Sequence, residues 1–363
     1  MKPFDDILTK TEFSRPDLIR MIGATGIEHE ALLNRSKQVA LQTIGDKVWL
    51  RGLIEFSNIC TKNCYYCGIR KDNRTVERYN IDDDAIVEAA IFAWKNRFGS
   101  IVLQSGERTD DAFVQRIGAL LERIKAETNQ QLGITLSLGE QTEATYRYWK
   151  TCGAHRYLLR IETSSEHLYY QLHPHDASHD YQYRRQCLKV LQSLGYQTGT
   201  GVMIGLPGQT IDDLADDLLF MQQADIDMVG MGPYLEHHDT PLYVRKDELW
   251  PIERRFQVAL NMIATLRLLM PDINIAASTA LQAIDPMGRE KALKIGANIL
   301  MPNITPSTNR KNYRLYDNKP CTDEGADDCN NCIRIRVEMV GRKVALGEWG
   351  DSQHFFQRNN KTL

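Results

Sequence analysis

The feature of this sequence that most restricts its fold is a strand–helix unit that recurs eight times. Runs rich in β-branched and apolar residues recur through the 363-residue chain and are typical of short strands. These runs are residues 48–55, 100–104, 134–138, 156–161, 198–204, 228–231, 273–277 and 298–301. Between them apolar residues recur at helical spacing, as in Ile117, Leu120, Leu121 and Ile124. Eight such units pack as a parallel sheet that closes into a barrel, so we predict an α/β fold, a complete (β/α)8 TIM-type barrel.

The remaining segments lie at the two ends of the chain. Residues 1–46 are predicted to form an N-terminal helical cap, residues 47–305 the barrel, and residues 306–363 a C-terminal extension. No stretch approaches about 18 uninterrupted apolar residues, and residues 1–11 are too polar for a signal peptide. The net charge of −3 gives no reason to expect nucleic acid or an anionic membrane as partner. We therefore expect a cytoplasmic protein.

Three of the eight cysteines form a CxxxCxxC motif, made by Cys60, Cys64 and Cys67. A chain of this length buries enough core to need no disulfides, so its cysteines call for another explanation. Neighbouring loop thiolates suit soft-metal ligation. Three thiolates are one fewer than a closed four-iron cluster uses, which leaves one iron open to a small molecule. We predict a 4Fe-4S cluster at this motif.

A second group, Cys321, Cys329 and Cys332, follows the last predicted strand and encloses an acidic loop. We predict a second iron–sulfur cluster here, either 2Fe-2S or 4Fe-4S, with zinc or a purely structural trio of thiols as alternatives. The two remaining cysteines stand alone: Cys152 lies in a predicted helix-to-strand connection and Cys187 on a helical face with Leu188 and Leu191, and both are predicted to be packed thiols.

Polar residues gather where the predicted strands end. Chemistry in barrels of this type lies at the carboxyl ends of the strands, so these residues predict a site there. The polar ends are Glu55-Phe-Ser-Asn, Gln104-Ser-Gly-Glu107, Ser137-Leu-Gly-Glu140, Arg160-Ile-Glu-Thr163, the stretch from Gly201 to Gly208, Ser278-Thr279 and Asn303-Ile-Thr305.

These motifs together resemble the radical S-adenosylmethionine (SAM) enzymes, in which an aromatic residue, here Tyr66, precedes the last cysteine of CxxxCxxC. More specifically, the chain resembles the HydE family of FeFe-hydrogenase maturases within the biotin synthase-like superfamily. The runs that carry this resemblance include IEFSNICTKNCYYCGIRKDN, IVLQSGE, TLSLGE, RYLLR, GLPGQTIDDLADDLLF, DMVGMGPY, GANILMPN and the trailing cysteines. They span about residues 48–341.

The resemblance implies that Cys60, Cys64 and Cys67 bind a 4Fe-4S cluster whose open iron chelates SAM. It places the cofactor against Tyr66, Gln104, Gly106, Glu107, Ser137, Arg160, Glu162, Arg184, Met203, Gly205 and Leu206. Arginine and glutamate suit the carboxylate and ammonium of the methionine moiety, and glycine and methionine suit the adenine. Two alternatives remain: a barrel-interior salt bridge for Arg160 and Glu162, and a solvated helix face for Arg184. Ile161 departs from family members that carry histidine there.

The implied reaction is reductive cleavage of SAM to methionine and a 5′-deoxyadenosyl radical, with no catalytic side chain beyond the cluster and SAM. The implied substrate is an iron–cysteine species bearing CO and cyanide, delivered by HydG and passed towards HydF-like maturases, with ferredoxin or flavodoxin as electron donor. Thr135, Ser278, Thr279 and Tyr313 are the candidate substrate contacts, with barrel-layer hydroxyls as the alternative. The competing functions are a mutase or sulfurtransferase on a small organic substrate, as in methylornithine synthase or biotin synthase, and an electron-transfer or metal-storage protein.

Overall fold

A computed structural model of the protein describes residues 3–320 and 326–360, and within the second range the side chains of residues 333–359. The helices are α1 Phe4–Leu8, α2 Arg15–Ile22, α3 Gly26–Thr43, α4 Asp83–Lys95, α5 Asp111–Glu127, α6 Glu143–Thr151, α7 Glu166–Leu172, α8 Tyr181–Ser193, α9 Ile211–Gln223, α10 Ile252–Leu269, α11 Thr279–Ile284, α12 Gly288–Ile295, α13 Ser307–Arg310, α14 Ala326–Met339 and α15 Gln353–Asn360. Two 3₁₀ helices span Ala177–His179 and Pro241–Glu248. The strands are β1 Lys47–Ser57, β2 Ser100–Ser105, β3 Gly133–Ser137, β4 Arg156–Leu158, β5 Gln197–Thr200, β6 Met203–Ile204, β7 Met228–Val229, β8 Gly232–Pro233, β9 Asn274–Ile275, β10 Ile299–Leu300 and β11 Lys343–Ala345.

The strands form a curled parallel sheet in the order β10-β1-β2-β3-β4-β5-β7-β9, and β11 pairs with β1 beside β10. All of these pairings are parallel, which confirms the predicted α/β class. The two end strands approach each other through a parallel bridge between Ala276 and Ile299. The Ala277 N–H donates to the Ile299 carbonyl at 3.0 Å, and the Asn298 N–H donates to the Ile275 carbonyl at 2.9 Å.

Two of the predicted strands are interrupted near their carboxyl ends. Residues 198–204 divide into β5 and β6, and the run that begins at Met228 divides into β7 and β8, with β6 and β8 paired apart from the main sheet. The Arg160 side chain causes the break, because its guanidinium donates to the carbonyls of Val202, at 2.9 Å, and Gly230. A Cβ on Gly201 would lie 1.9 Å from the Gly230 oxygen, so only glycine allows this approach. The break therefore brings a charged side chain to the carboxyl ends of the strands.

Alternation along the strands divides the apolar residues between two regions. Ile54, Leu103 and Leu136 are fully buried in the main hydrophobic cluster, together with residues of the surrounding helices. Val102 and Thr135 precede Leu103 and Leu136 along the chain and pair with each other; they face the interior of the sheet's curl, where they line a small cavity. This two-sided burial explains why the strands are near-continuous apolar runs, as parallel sheets require.

The terminal segments cover the outside and the lower end of the sheet. Helix α3 packs on α10, and the Asn261 side chain of α10 donates to the carbonyls of Ile22 and Ala24 at 2.9 Å. At the amino ends of the strands, Arg156 of β4 pairs with Asp351 at 2.6 Å. The C-terminal segment thus closes the end opposite to the strand carboxyl ends. In the described part of the chain, no helix combines the length and apolarity needed to cross a membrane.

Candidate active site

A cavity of about 270 Å³ opens at the carboxyl ends of the strands, where the polar residues were predicted to meet. Its walls come from most of the sheet and from residues 315–320 of the C-terminal segment. The lining includes Leu53, Glu55, Tyr66, Cys67, Gln104, Leu158, Arg160, Glu162, Met203, Gly230, Gly232, Pro233, Tyr234, Ser278, Thr279, Arg289, Met301, Asn303, Tyr316 and Lys319.

The cysteine loop follows β1 and places the Cys67 thiol on the cavity wall. Cys60, Cys64 and Cys67 are free thiols, and the Cys60 sulfur accepts the N–H groups of Lys62, at 3.4 Å, and Glu107, at 3.3 Å. Burial raises the pKa of all three thiols, that of Cys64 to about 12, so cations bound there must displace protons. Three thiols in one loop, with backbone N–H groups donating to Cys60 and an open cavity beside Cys67, fit an iron–sulfur cluster with one exposed iron.

Gly106 supports this loop from β2. A Cβ at this position would lie 2.4 Å from the Ile59 carbonyl oxygen and 2.7 Å from the Cys60 Cβ. Real Cβ contacts are not that short. The loop backbone can therefore pack directly against residue 106 only because that residue is glycine. Gly106 lies outside the cavity lining, so the structure gives it a packing relation to the cysteine loop.

Four buried charges lie behind the loop. Lys62 pairs with Glu107 at 3.0 Å and with Glu140 at 2.7 Å, and Arg184 pairs with Glu140 and approaches Glu107 at 3.8 Å. Burial and the neighbouring Glu140 raise the pKa of Glu107. Burial opposes ionisation of Glu140, but Arg184 and Lys62 hold its pKa below the ordinary value. The solvated-face alternative for Arg184 is wrong, because this side chain is 8% exposed.

Arg160 and Glu162 form a two-point ion pair on the cavity wall. Arg160 Nε donates to Glu162 Oε1 at 2.9 Å and Nη2 to Oε2 at 2.8 Å. The barrel-interior salt bridge and the cavity position therefore coexist. Glu162 has φ of +64°, an unusual backbone for a non-glycine residue, and such strain gathers at functional sites. Ile161 between them is fully buried in the hydrophobic cluster, on the face away from the cavity.

Tyr66 is held in the cavity wall by the buried residue His173. Its ring lies edge-on to the imidazole with centroids 5.4 Å apart, and its hydroxyl donates to His173 Nε2 at 3.4 Å. Burial lowers the pKa of His173 strongly, so the imidazole is neutral. His173 Nδ1 lies 2.9 Å from the Tyr169 carbonyl and must carry the single proton. The tautomer thus leaves Nε2 free to accept from Tyr66.

The predicted site residues divide into two groups. Those that line the cavity are Tyr66, Gln104, Arg160, Glu162, Met203, Ser278 and Thr279. Those outside its lining are Gly106, Glu107, Thr135, Ser137, Arg184, Gly205, Leu206 and Tyr313.

Three further members of the second group, Thr135, Gly205 and Leu206, lie away from the cavity lining. Thr135 lines a separate cavity of about 30 Å³, deeper in the curl. Gly205, with φ of +81°, and Leu206 form a turn whose N–H groups donate to Gln209 Oε1. These contacts fix local backbone, and the cofactor and substrate roles stay predictions.

Glu55 was predicted at a polar strand end, but its charged partner inside the cavity, Lys319, was not. The Lys319 ammonium pairs with Glu55 Oε1 and donates to the Tyr313 carbonyl at 3.0 Å, while Asn303 Nδ2 donates to Glu55 Oε2 at 2.9 Å. Tyr313 Oη in turn accepts from Gln104 Nε2 at 3.3 Å. A carboxylate at the end of an otherwise apolar strand was the signal for Glu55, but Lys319 carries no local pattern that could have found it.

The other cysteines divide between described and undescribed parts. Cys321 and the side chains of Cys329 and Cys332 lie outside the described residues, so the second cluster stays a prediction. Cys152 and Cys187 are buried. Cys152 Sγ donates to Glu122 at 3.5 Å and Cys187 Sγ to the Gln141 carbonyl at 3.8 Å, as packed thiols do.

The chain is similar in sequence and in structure to several known proteins. A family model described as the radical SAM superfamily matches residues 54–221. The chain is 44% identical over 329 residues to the [FeFe] hydrogenase maturase subunit HydE of Thermotoga maritima, covering 91% of this chain and 90% of that protein. It is 27% identical to 3-methylornithine synthase of Methanosarcina acetivorans, covering 94% and 93%. The crystal structure of the maturase HydG from Carboxydothermus hydrogenoformans superposes with a TM-score of 0.79 at 17% identity, covering 94% and 79%.

Proposed function

The chain belongs to the HydE family of radical SAM enzymes, and from that premise we propose that it acts in assembling the active-site cluster of an FeFe-hydrogenase. The observation that carries the proposal is the meeting of three elements: the three-cysteine loop, the Arg160–Glu162 pair and a cavity of about 270 Å³. The 44% identity across nearly the whole chain selects HydE within the superfamily.

Cys60, Cys64 and Cys67 hold the 4Fe-4S cluster in this proposal. When bound and reduced, the cluster supplies one electron that cleaves SAM to methionine and a 5′-deoxyadenosyl radical. Tyr66, Gln104, Met203 and the Arg160–Glu162 pair line the cavity and orient the cofactor. The Lys62, Glu107, Glu140 and Arg184 group fixes the loop from behind, and the surrounding walls exclude water from a reactive radical.

The substrate in this proposal is an iron–cysteine species that carries CO and cyanide, held near Ser278 and Thr279. HydG-like and HydF-like maturases supply and receive it, and ferredoxin or flavodoxin delivers the electron in the cytoplasm. Cys321, Cys329 and Cys332 hold a second iron–sulfur cluster. The Ala276–Ile299 bridge supports closure of the sheet into a complete barrel around this substrate.

A second candidate is a mutase acting on a small amino acid, favoured by the 27% identity to 3-methylornithine synthase over 94% of the chain. Both functions share the cysteine loop and SAM cleavage, so the cofactor chemistry does not separate them. The two functions differ in the substrate, which is an iron–cysteine species in one and a small amino acid in the other.

The test is in vitro maturation. Anaerobically reconstituted protein is added to a lysate that contains apo-hydrogenase, HydG, HydF and reductant but lacks HydE, and hydrogen evolution is measured. We expect activity with the wild-type protein and background with Cys64→Ala, while Cys152→Ala, which changes a packed thiol, retains activity. Hydrogen evolution at background with the wild-type protein, together with isomerisation of lysine to 3-methylornithine, would favour the mutase.

A further inference from the structure

Arg289 stands out among the charged residues of the cavity. It lies at the start of α12, is 7% exposed and lines the cavity. Its Nε is buried without a hydrogen-bond partner. Among the residues that the structure describes, none offers this guanidinium a carboxylate or carbonyl acceptor. Arginine stays charged at any working pH, so a buried and unpaired guanidinium is costly to the folded chain.

Three other arginines near the strands, two of them buried and one half-buried, are paired with carboxylates, whereas Arg51, which lines the separate cavity of about 30 Å³, donates to the Gly350 carbonyl and has an unpartnered Nε. Arg156 meets Asp351, Arg160 meets Glu162 and Arg184 meets Glu140. Among the described arginines that line this cavity, Arg289 is the one without a carboxylate partner. An anion that enters the cavity would compensate the charge of Arg289 and accept hydrogen bonds from its guanidinium.

The surroundings of Arg289 favour the same kind of ligand. Ser278 and Tyr234 also line the cavity, and their hydroxyl oxygens are buried without partners. The cavity's ionisable pairs Arg160–Glu162 and Lys319–Glu55 are each neutral in sum. Arg289 therefore leaves the described wall with one uncompensated positive charge, in the same cavity as two hydroxyl groups that lack partners.

We propose that Arg289, with the Ser278 hydroxyl, forms a carboxylate subsite of the substrate. This rests on the proposed function, whose cysteine-containing substrate carries one carboxylate. A guanidinium binds a carboxylate through two parallel N–H···O bonds, which fixes orientation as well as affinity. Arg289 is a binding residue in this reading and takes no part in SAM cleavage.

The experiment measures binding of L-cysteine and of L-cysteinamide, which lacks the carboxylate, to the anaerobic, cluster-loaded protein by calorimetry. We expect Arg289→Met to weaken L-cysteine binding at least tenfold and to leave cysteinamide binding unchanged. Arg289→Lys should recover part of the loss. The control, Arg147→Met, replaces an exposed arginine of α6 and should change neither affinity.

A stability measurement separates binding from a structural role. Because Arg289 lacks a partner, Arg289→Met should unfold at the same or a higher denaturant concentration than the wild type. A lower one would overturn the proposal, as would equal loss of both ligands, absence of L-cysteine binding to the wild type, or a parallel loss of affinity for SAM. The proposed function is judged separately, by in vitro maturation with the wild-type protein.

Discussion

Replacing Gly106 by alanine should displace the loop that carries the cluster cysteines. The new Cβ would lie 2.4 Å from the Ile59 oxygen and 2.7 Å from the Cys60 Cβ. Favourable contacts begin at about 3.5 Å, so the segment must retreat by about 1 Å. Both obstacles belong to the backbone or to a Cβ, and neither can turn away as a long side chain could.

The expected cost has two parts. Overpacking of this kind costs about 1–3 kcal/mol of unfolding free energy. A displacement of about 1 Å at a reacting centre costs on the order of 100-fold in rate. Because Cys60 is one of three sulfurs in the loop, the second effect should dominate the phenotype.

The assay compares wild-type and Gly106→Ala proteins after anaerobic reconstitution. Iron content, 5′-deoxyadenosine formation under reduction and the denaturant midpoint are measured on the same preparations. Gly133→Ala is the matched control, because the atoms nearest to its Cβ would be side-chain atoms of His155, Ser100 and Trp349 at 3.0–3.2 Å, and Gly133 does not line the cavity. Wild-type iron content and rate in Gly106→Ala would refute the argument that the glycine supports the loop.

Three further predictions concern buried polar groups. Burial raises the pKa of Asp217 to about 7, so ionisation of this carboxyl lowers the free energy of unfolding as the pH rises from about 4 through 7. In Asp217→Asn, the difference in unfolding free energy between pH 4 and pH 8, measured with urea, should shrink by up to roughly 4 kcal/mol. Lys319→Met should cost about 3 kcal/mol of unfolding free energy because it leaves the buried Glu55 carboxylate without its ammonium partner. Glu55→Gln in the same chain should recover most of that loss, and additive losses would contradict the pairing. His173→Phe should weaken SAM binding about fivefold by removing the acceptor of Tyr66, whereas His173→Gln should not, and equal affinities would contradict that role.

The fold was largely predictable because its signals are local. Each of the eight predicted runs overlaps a strand, because a buried parallel strand is a short apolar run. The apolar residues of the helices between them recur about every 3.6 residues. The division of residues 198–204 was not predictable. It depends on the Arg160 guanidinium reaching the carbonyls of Val202 and Gly230, which are distant in sequence.

The end of the sheet that holds the cavity was predictable, but the residues that line the cavity were predictable only in part. Cys60, Cys64 and Cys67 form a compact motif, and the polar strand ends pointed to the correct end of the sheet. The Lys319–Glu55 pair joins residues 264 positions apart, and the missing partner of Arg289 is visible only once the chain is folded. Gly205 was predicted to contact the cofactor but lies outside the cavity lining, in a turn whose N–H groups donate to Gln209.

The most direct test of the central claim is SAM cleavage by the purified chain. After anaerobic reconstitution with iron and sulfide, the wild-type protein should bind at least about four iron atoms. On reduction with dithionite it should release 5′-deoxyadenosine and methionine in equal amounts, and Cys64→Ala should release neither. A wild-type protein that holds a spectroscopically verified, reduced 4Fe-4S cluster and binds SAM, yet forms no 5′-deoxyadenosine, would contradict the account.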